Sequence, residues 1–300
     1  MGKVVSSEKH LILGIDGFIG KYLYKYLKKK GHTVLFPDKC DHRDYKNIRE
    51  LVRGIDFVWA FSANFGGVGY FTKEQYYPTI DNYVIDLNVL RACEERGVKR
   101  LFYPASACAY NTFFEGTPLE EPMLDWSANP DQMYGWEKLS MIKLMRHAPF
   151  DVRVGVLHTI YGEGQEYKGV RAKFPPQIAH KAIMAQKTGT MEIWGDGNQT
   201  RTFLHIDDAI AKIYEVMMAQ DYYGEVNIGS DIEVSINEVV DICNDILKSS
   251  PTKIYLEDKP VGPTRRLCSN EKFNLHYQTR DKVTLEEGFT RLINYIEKHG

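Results

Sequence analysis

A chain of 300 residues, 43% hydrophobic and 26% charged, has material for a sizeable core built as one large domain or two fused ones. Its 38 basic and 40 acidic residues leave a net charge of −2, which excludes a global basic field for nucleic acid or anionic membrane. The first nine residues lack the apolar stretch of a signal peptide, and no apolar run approaches the roughly 20 residues that a bilayer crossing needs.

From the N-terminus, short apolar runs alternate with amphipathic stretches, the pattern of βαβ units and a parallel sheet. Strands are predicted at residues 10–13, 33–36, 57–61, 100–103 and 152–157, and helices at 21–29, 45–53, 79–96 and 134–147. In the third helix Ile80, Val84, Leu87 and Arg91 recur at helical spacing, so one face is partly apolar. Residues 162–173 are rich in Gly and Lys and too irregular for a core element. Two later helices open on capping boxes, Ser235 with Glu238 and Thr284 with Glu287. The expected architecture is an α/β doubly wound parallel Rossmann-type sheet over residues 1–160, rejoined by a segment near 201–229. A second, smaller α/β substrate domain takes up 161–300.

Directly after the first strand, Gly14, Gly17 and Gly20 form a GxxGxxG turn that leads into a helix. Glycines there let the chain turn tightly, and the amides of the helix start, Phe18 and Ile19 among them, can meet a pyrophosphate together with the helix dipole. Asp38 stands 24 residues after Gly14, at the end of the second strand. A carboxylate there accepts ribose hydroxyls and repels a 2′-phosphate, which points to NAD rather than NADP. Asp41, ahead of the second helix, suits either an adenine contact or a helix N-cap.

Tyr134-Gly-Trp-Glu-Lys138 is a YxxxK pattern on a predicted helix, so the i, i+4 spacing puts phenol and ammonium on one face. A neighbouring cation lowers a phenol's pKa and fits it for proton exchange. Ser106 lies 28 residues earlier, after a strand. Five cysteines without a CxxC pair argue against a disulfide framework or zinc site and for a reducing compartment, the cytoplasm. The nine histidines are scattered, giving no metal site, and His158 reads as a satisfied pocket residue.

Gly14–Gly20, Ser106, Tyr134 and Lys138 together resemble the cofactor and catalytic motifs of extended short-chain dehydrogenases/reductases, the NAD-dependent epimerase/dehydratase group. Within it, segments 63–71, 105–110, 126–138, 167–175, 192–203 and 226–230 resemble the GDP-mannose 3,5-epimerases. The resemblance implies NAD as hydride acceptor, oxidation of a nucleotide-sugar at C4 with Tyr134 as base, and inversion at C3 or C5 through an enolate. It assigns the acid–base pair to Cys108 and Lys168, and the substrate contacts to Gly67, Ser106, Lys168, Arg201, Arg265 and Arg266. It also implies a homodimer through the helices at 79–96 and 134–147. Thr159 and Glu163 depart from the family's Asn and Pro, which leaves a related GDP-sugar open as substrate. A C4 epimerase needing only Ser106, Tyr134 and Lys138 is the main alternative, and a non-catalytic NAD-binding regulator is another.

Overall fold

The computed structural model describes residues 8–37, 39–67, 70, 73–111, 116–124, 129–130, 132–259 and 261–300. Its N-terminal half runs β1 (Lys9–Leu13), α1 (Phe18–Lys29), β2 (Thr33–Leu35), α2 (Tyr45–Leu51), β3 (Phe57–Ala60), α3 (Tyr76–Arg96), β4 (Arg100–Ser106), β5 (Pro118–Leu119), α4 (Gln132–Met145) and β6 (Asp151–Leu157). There follow β7 (Thr159–Tyr161), α5 (Phe174–Thr188), β8 (Thr190–Trp194), β9 (Thr200–His205), α6 (Ile206–Met218) and β10 (Val226–Ile228). The chain closes with β11 (Glu233–Ser235), α7 (Ile236–Leu247), β12 (Thr252–Leu256), β13 (Arg265–Cys268), α8 (Glu271–His276) and α9 (Leu285–His299).

Six parallel strands form the main sheet in the order β10-β6-β4-β3-β1-β2. Both faces are covered, as near-continuous apolar strands require. Leu11, Leu13, Val58, Leu101 and Tyr103 face α2, α3 and α4 in one buried layer. The alternating residues Ile12, Phe57, Trp59 and Phe102 face α1, α6 and α8 in the other. A third cluster joins α5, α7 and α9 around Phe203 and Phe289, beside a sheet ordered β11-β9-β13-β5 in which β7 also pairs with β9.

Element boundaries differ from the sequence reading in ways that local chemistry explains. Helix α3 begins at Tyr76 rather than 79, because Pro78 falls in the first turn, where its missing N–H costs no helical bond. Strand β4 runs on to Ser106, since Pro104, Ala105 and Ser106 stay in register with Gly155, Val156 and Leu157. This puts Ser106 at the carboxyl end of a central strand, where open α/β sheets carry their ligands. The box at Ser235 closes in both directions, and Thr284 accepts from Glu287 N. Among the described residues, no helix is long and apolar enough to cross a membrane, and no group of three or more His, Cys, Asp or Glu is arranged to hold a metal.

Candidate active site

The glycine turn is built as tightly as its sequence implies. Gly14 adopts φ +85°, and a Cβ there would lie 2.5 Å from Phe61 O; one on Gly20 would lie 2.2 Å from Gly14 O. Only glycine permits α1 to start this close to β1. Gly17 caps α1 without any side-chain bond, and the first turn, which holds Phe18 and Ile19, has no acidic residue. The amides of that turn are therefore not consumed by a capping side chain, which fits a pyrophosphate. Asp38 lies outside the described residues. Asp41 is exposed and bidentate to Arg43, which also pairs with Asp81 at 3.0 Å; the N-cap of α2 is Asp44, not Asp41.

At the other end of the sheet's carboxyl edge, a cavity of about 810 Å³ is lined by Ser106, Cys108, Tyr134, Gly67, Thr159, Lys173, Arg201 and Arg266, among others. Ser106 Oγ accepts from Cys108 N at 3.2 Å and so starts the 3₁₀ turn of Ala107–Ala109. Helix α4 seats on that turn at Gly135, where a Cβ would lie 2.2 Å from Cys108 O. This close seat sets Tyr134, from the same helical turn, in the cavity wall with Ser106, whose hydroxyl favours the ionised phenol. The Lys138 ammonium stands 5.7 Å from the Tyr134 ring centroid.

Burial raises the Tyr134 phenol above the ordinary tyrosine range, outweighing the opposing pull of Lys138 and of the Ser106 hydroxyl. The lowered phenol expected from Lys138 alone is therefore not what the protein by itself produces. A cationic nicotinamide ring would supply the second positive charge.

The pairing expected between Cys108 and Lys168 does not form. Lys168 is exposed, its ammonium 5.2 Å from the Tyr167 ring centroid, and it is absent from the cavity wall. Lys173, five residues on and the N-cap residue of α5, stands there instead. Its ammonium sits 4.2 Å from the Phe65 ring centroid, and Phe65 packs on Tyr134 at 5.3 Å. Burial lowers the Lys173 ammonium to about 8, against an opposing contribution from nearby Cys108. The strand-end loop and this segment are clamped together, since Gly67 N donates to Arg171 O at 3.1 Å and a Cβ on Gly67 would lie 2.7 Å from Ala172 O. The lysine was missed because segment 162–173 has no periodicity that fixes which side chain points inward.

Of the three arginines, Arg266 lines the cavity and its Nη1 donates to Cys108 Sγ at 3.7 Å. Arg201 also lines it, with Nη1 on Thr200 O and Nη2 on Val261 O. Arg265 does not reach the cavity: both sides of its fork hold Glu233 at 2.6 Å, and Nη1 donates to Gly116 O. Strand alternation on β13 turns one arginine in and its neighbour away. His158 is satisfied by Asn227 Oδ1 at 3.2 Å, and burial lowers it to about 4, so it is neutral. Glu163 accepts from His205 and Arg291, an interaction a proline could not make.

The NAD dependent epimerase/dehydratase family model matches residues 10–229. The chain is 35% identical over 255 residues to GDP-mannose 3,5-epimerase 1 of Oryza sativa subsp. japonica, covering 77% of this chain and 66% of that enzyme, just under two-thirds of its length. It is 24% identical over 288 residues to the GDP-L-fucose synthase of Escherichia coli, covering 88% of each. Among solved structures it resembles the UDP-glucose 4-epimerase of Thermotoga maritima with a TM-score of 0.87, at 20% identity over 97% of this chain and 99% of that one.

Proposed function

The chain belongs to the NAD-dependent epimerase/dehydratase family, and we propose that within it the protein inverts C3, C5 or both of GDP-mannose or a related GDP-sugar through a transient 4-keto sugar. One observation carries the reading: Lys173, with its ammonium lowered to about 8, stands beside Cys108 in the cavity that holds Tyr134. A simple C4 epimerase has no use for that pair.

NAD, when bound, would accept a hydride from sugar C4 and later return it. Tyr134, oriented by Ser106 and Lys138, takes the C4 hydroxyl proton as the hydride leaves. The ketone then acidifies the hydrogens on C3 and C5. Cys108 and Lys173 both line the cavity, and in this reading one removes a proton from one ring face while the other delivers a proton to the opposite face. A lysine near 8 is part amine and part ammonium at neutral pH, which suits either role. Lys173 thus takes the part that the family resemblance had given to Lys168. Arg201 and Arg266 offer guanidinium forks to the diphosphate.

NAD is favoured over NADP by the position of Asp38 in the sequence and by Arg43, whose fork is engaged by Asp41 and Asp81 rather than offered to a 2′-phosphate. We also assign a homodimer, formed through the exposed apolar side chains of α3 and α4.

The test is NMR of GDP-mannose incubated with the enzyme and NAD in D₂O. Deuterium at C3 or C5 with a new configuration supports the proposal. Turnover with no solvent deuterium means C4 chemistry alone. Absence of turnover with GDP-mannose and with other GDP-sugars would overturn the reading.

A further inference from the structure

Beneath Tyr134, Lys138 is enclosed by three polar side chains that the mechanism does not use, Asp86, Tyr103 and Glu137. Lys138 Nζ is 3.2 Å from Asp86 Oδ2 and 3.2 Å from Glu137 Oε1, and it donates to the Tyr103 hydroxyl at 3.0 Å. The Tyr103 hydroxyl in turn donates to Asp86 Oδ2 at 2.8 Å, with a longer contact of 3.3 Å to Glu137 Oε1. The Lys138, Asp86 and Glu137 side chains are 4%, 3% and 0% exposed, so no water screens them.

Two full carboxylates against one ammonium would leave an unbalanced charge in this dry place. Two like charges in contact do not both ionise when one can hold a proton instead. The oxygens of Glu137 are unequal in a way that matches. Oε1 lies 3.2 Å from the Lys138 ammonium and 3.3 Å from the Tyr103 hydroxyl, whereas Oε2 is buried with no donor to accept from. An anionic oxygen left so is costly, and a proton on this carboxyl group, which neighbours Asp86, removes that cost.

We propose that Glu137 carries a proton at neutral pH, shared with Asp86, and that as a positioning residue it keeps Lys138 beside Tyr134 without adding a second negative charge. The inference rests on the reading of Tyr134 as the base and Lys138 as its partner.

Burial, together with Asp86, pushes the Glu137 carboxyl up to about 8, against the opposing pull of Lys138. The titratable groups facing Glu137 among the described residues are Asp86 from α3, Tyr103 from β4, and Lys138 and Tyr134 from its own helix. Once Glu137 ionises, its charge raises the Tyr134 phenol further and withholds the phenolate that the reaction needs. Ionisation of Glu137 therefore lowers the activity at alkaline pH, in addition to any effect of the Lys173 titration.

Two measurements test this. Infrared spectroscopy of the intact protein is expected to show a protonated buried carboxyl at pH 7 that disappears with a midpoint near 8. The band should be absent from Glu137→Gln, and also from Asp86→Asn, where Glu137 becomes the sole counterion of Lys138. In turnover, Glu137→Gln should lose the Glu137 part of the alkaline fall and keep any part set by Lys173, making its pH 9 to pH 7 rate ratio about tenfold higher than in wild type, the factor that one pH unit beyond the midpoint gives. A wild-type spectrum without the band at pH 7, or superimposable pH profiles, would overturn the proposal. If the band is present and titrates but no nucleotide-sugar is turned over, the functional reading fails and the proton on Glu137 stands.

Discussion

Cys108 and Lys173 are the residues on which the proposed chemistry turns, and their neighbours make the proposal testable. Lys173→Gln removes a desolvated amine from the cavity and is expected to lower epimerisation about 100-fold or more, the scale of a lost acid–base group. Lys168→Gln, altering an exposed side chain off the cavity wall, should stay within about threefold. Solvent deuterium incorporation in the two variants reads this directly, and equal losses would return the role to Lys168. A second residue-scale prediction concerns acid stability. His10 is buried beside Trp59 and His32, and burial lowers it to about 4 from 6.5, with Nε2 unpartnered. Between those values the unfolded chain binds a proton that the folded one refuses, so stability falls as pH drops from 6.5 toward 4. Melting temperatures across this window should fall less steeply in His10→Phe. The slope should not vanish, because His158 is lowered by burial over the same range.

At the scale of elements, the seat of α4 on the Ala107–Ala109 turn decides whether Tyr134 meets Ser106. Gly135→Ala places a methyl 2.2 Å from the Cys108 carbonyl oxygen, which is backbone and cannot rotate away. The helix must shift, at a cost of about 1–3 kcal/mol as in other overpacked sites. Turnover should fall more than stability does, since the shift separates Tyr134 from Ser106; a variant with normal rates would show that the seat is not critical. The elements themselves were largely legible in the chain. Alternating apolar faces marked β1, β3, β4 and β6, and the serine of a capping box marked the start of α7. Boundaries such as the Tyr76 start of α3 were not, because Pro78 reads as a stop until its place in the first turn is known.

For the whole molecule, α3 exposes Tyr76 and Tyr77, 68% and 70% accessible, with Ile80 and Leu87, while α4 exposes Met133, Trp136 and Leu144. These helices pack together, and the proposed homodimer would use their exposed apolar side chains. Trp136→Glu is expected to convert a dimer into a monomer in sedimentation experiments, and a wild-type monomer would sink the assignment. Across the molecule, Arg291 of α9 binds Glu163 and Asp207 at 2.8 and 2.7 Å, tying the C-terminal helix to the start of α6. Glu163 also accepts from His205, so the residue that departs from the family's proline has a structural use here.

The sequence by itself determined the parallel sheet and the glycine turn, because each depends on spacing within one element or one turn, and it put Ser106, Tyr134 and Lys138 forward as the candidate catalytic residues. Periods of two and 3.6 residues, or a glycine three positions from the next, are properties of the chain alone. What only the tertiary structure decided are the meetings between elements far apart in sequence. Lys173 rather than Lys168 lines the cavity that holds Cys108, and Arg266 rather than Arg265 enters it. Asp86, Tyr103 and Glu137 close around Lys138 from three elements. Such meetings depend on the direction in which an irregular segment or a strand face presents its side chains, and packing, not local periodicity, sets that direction.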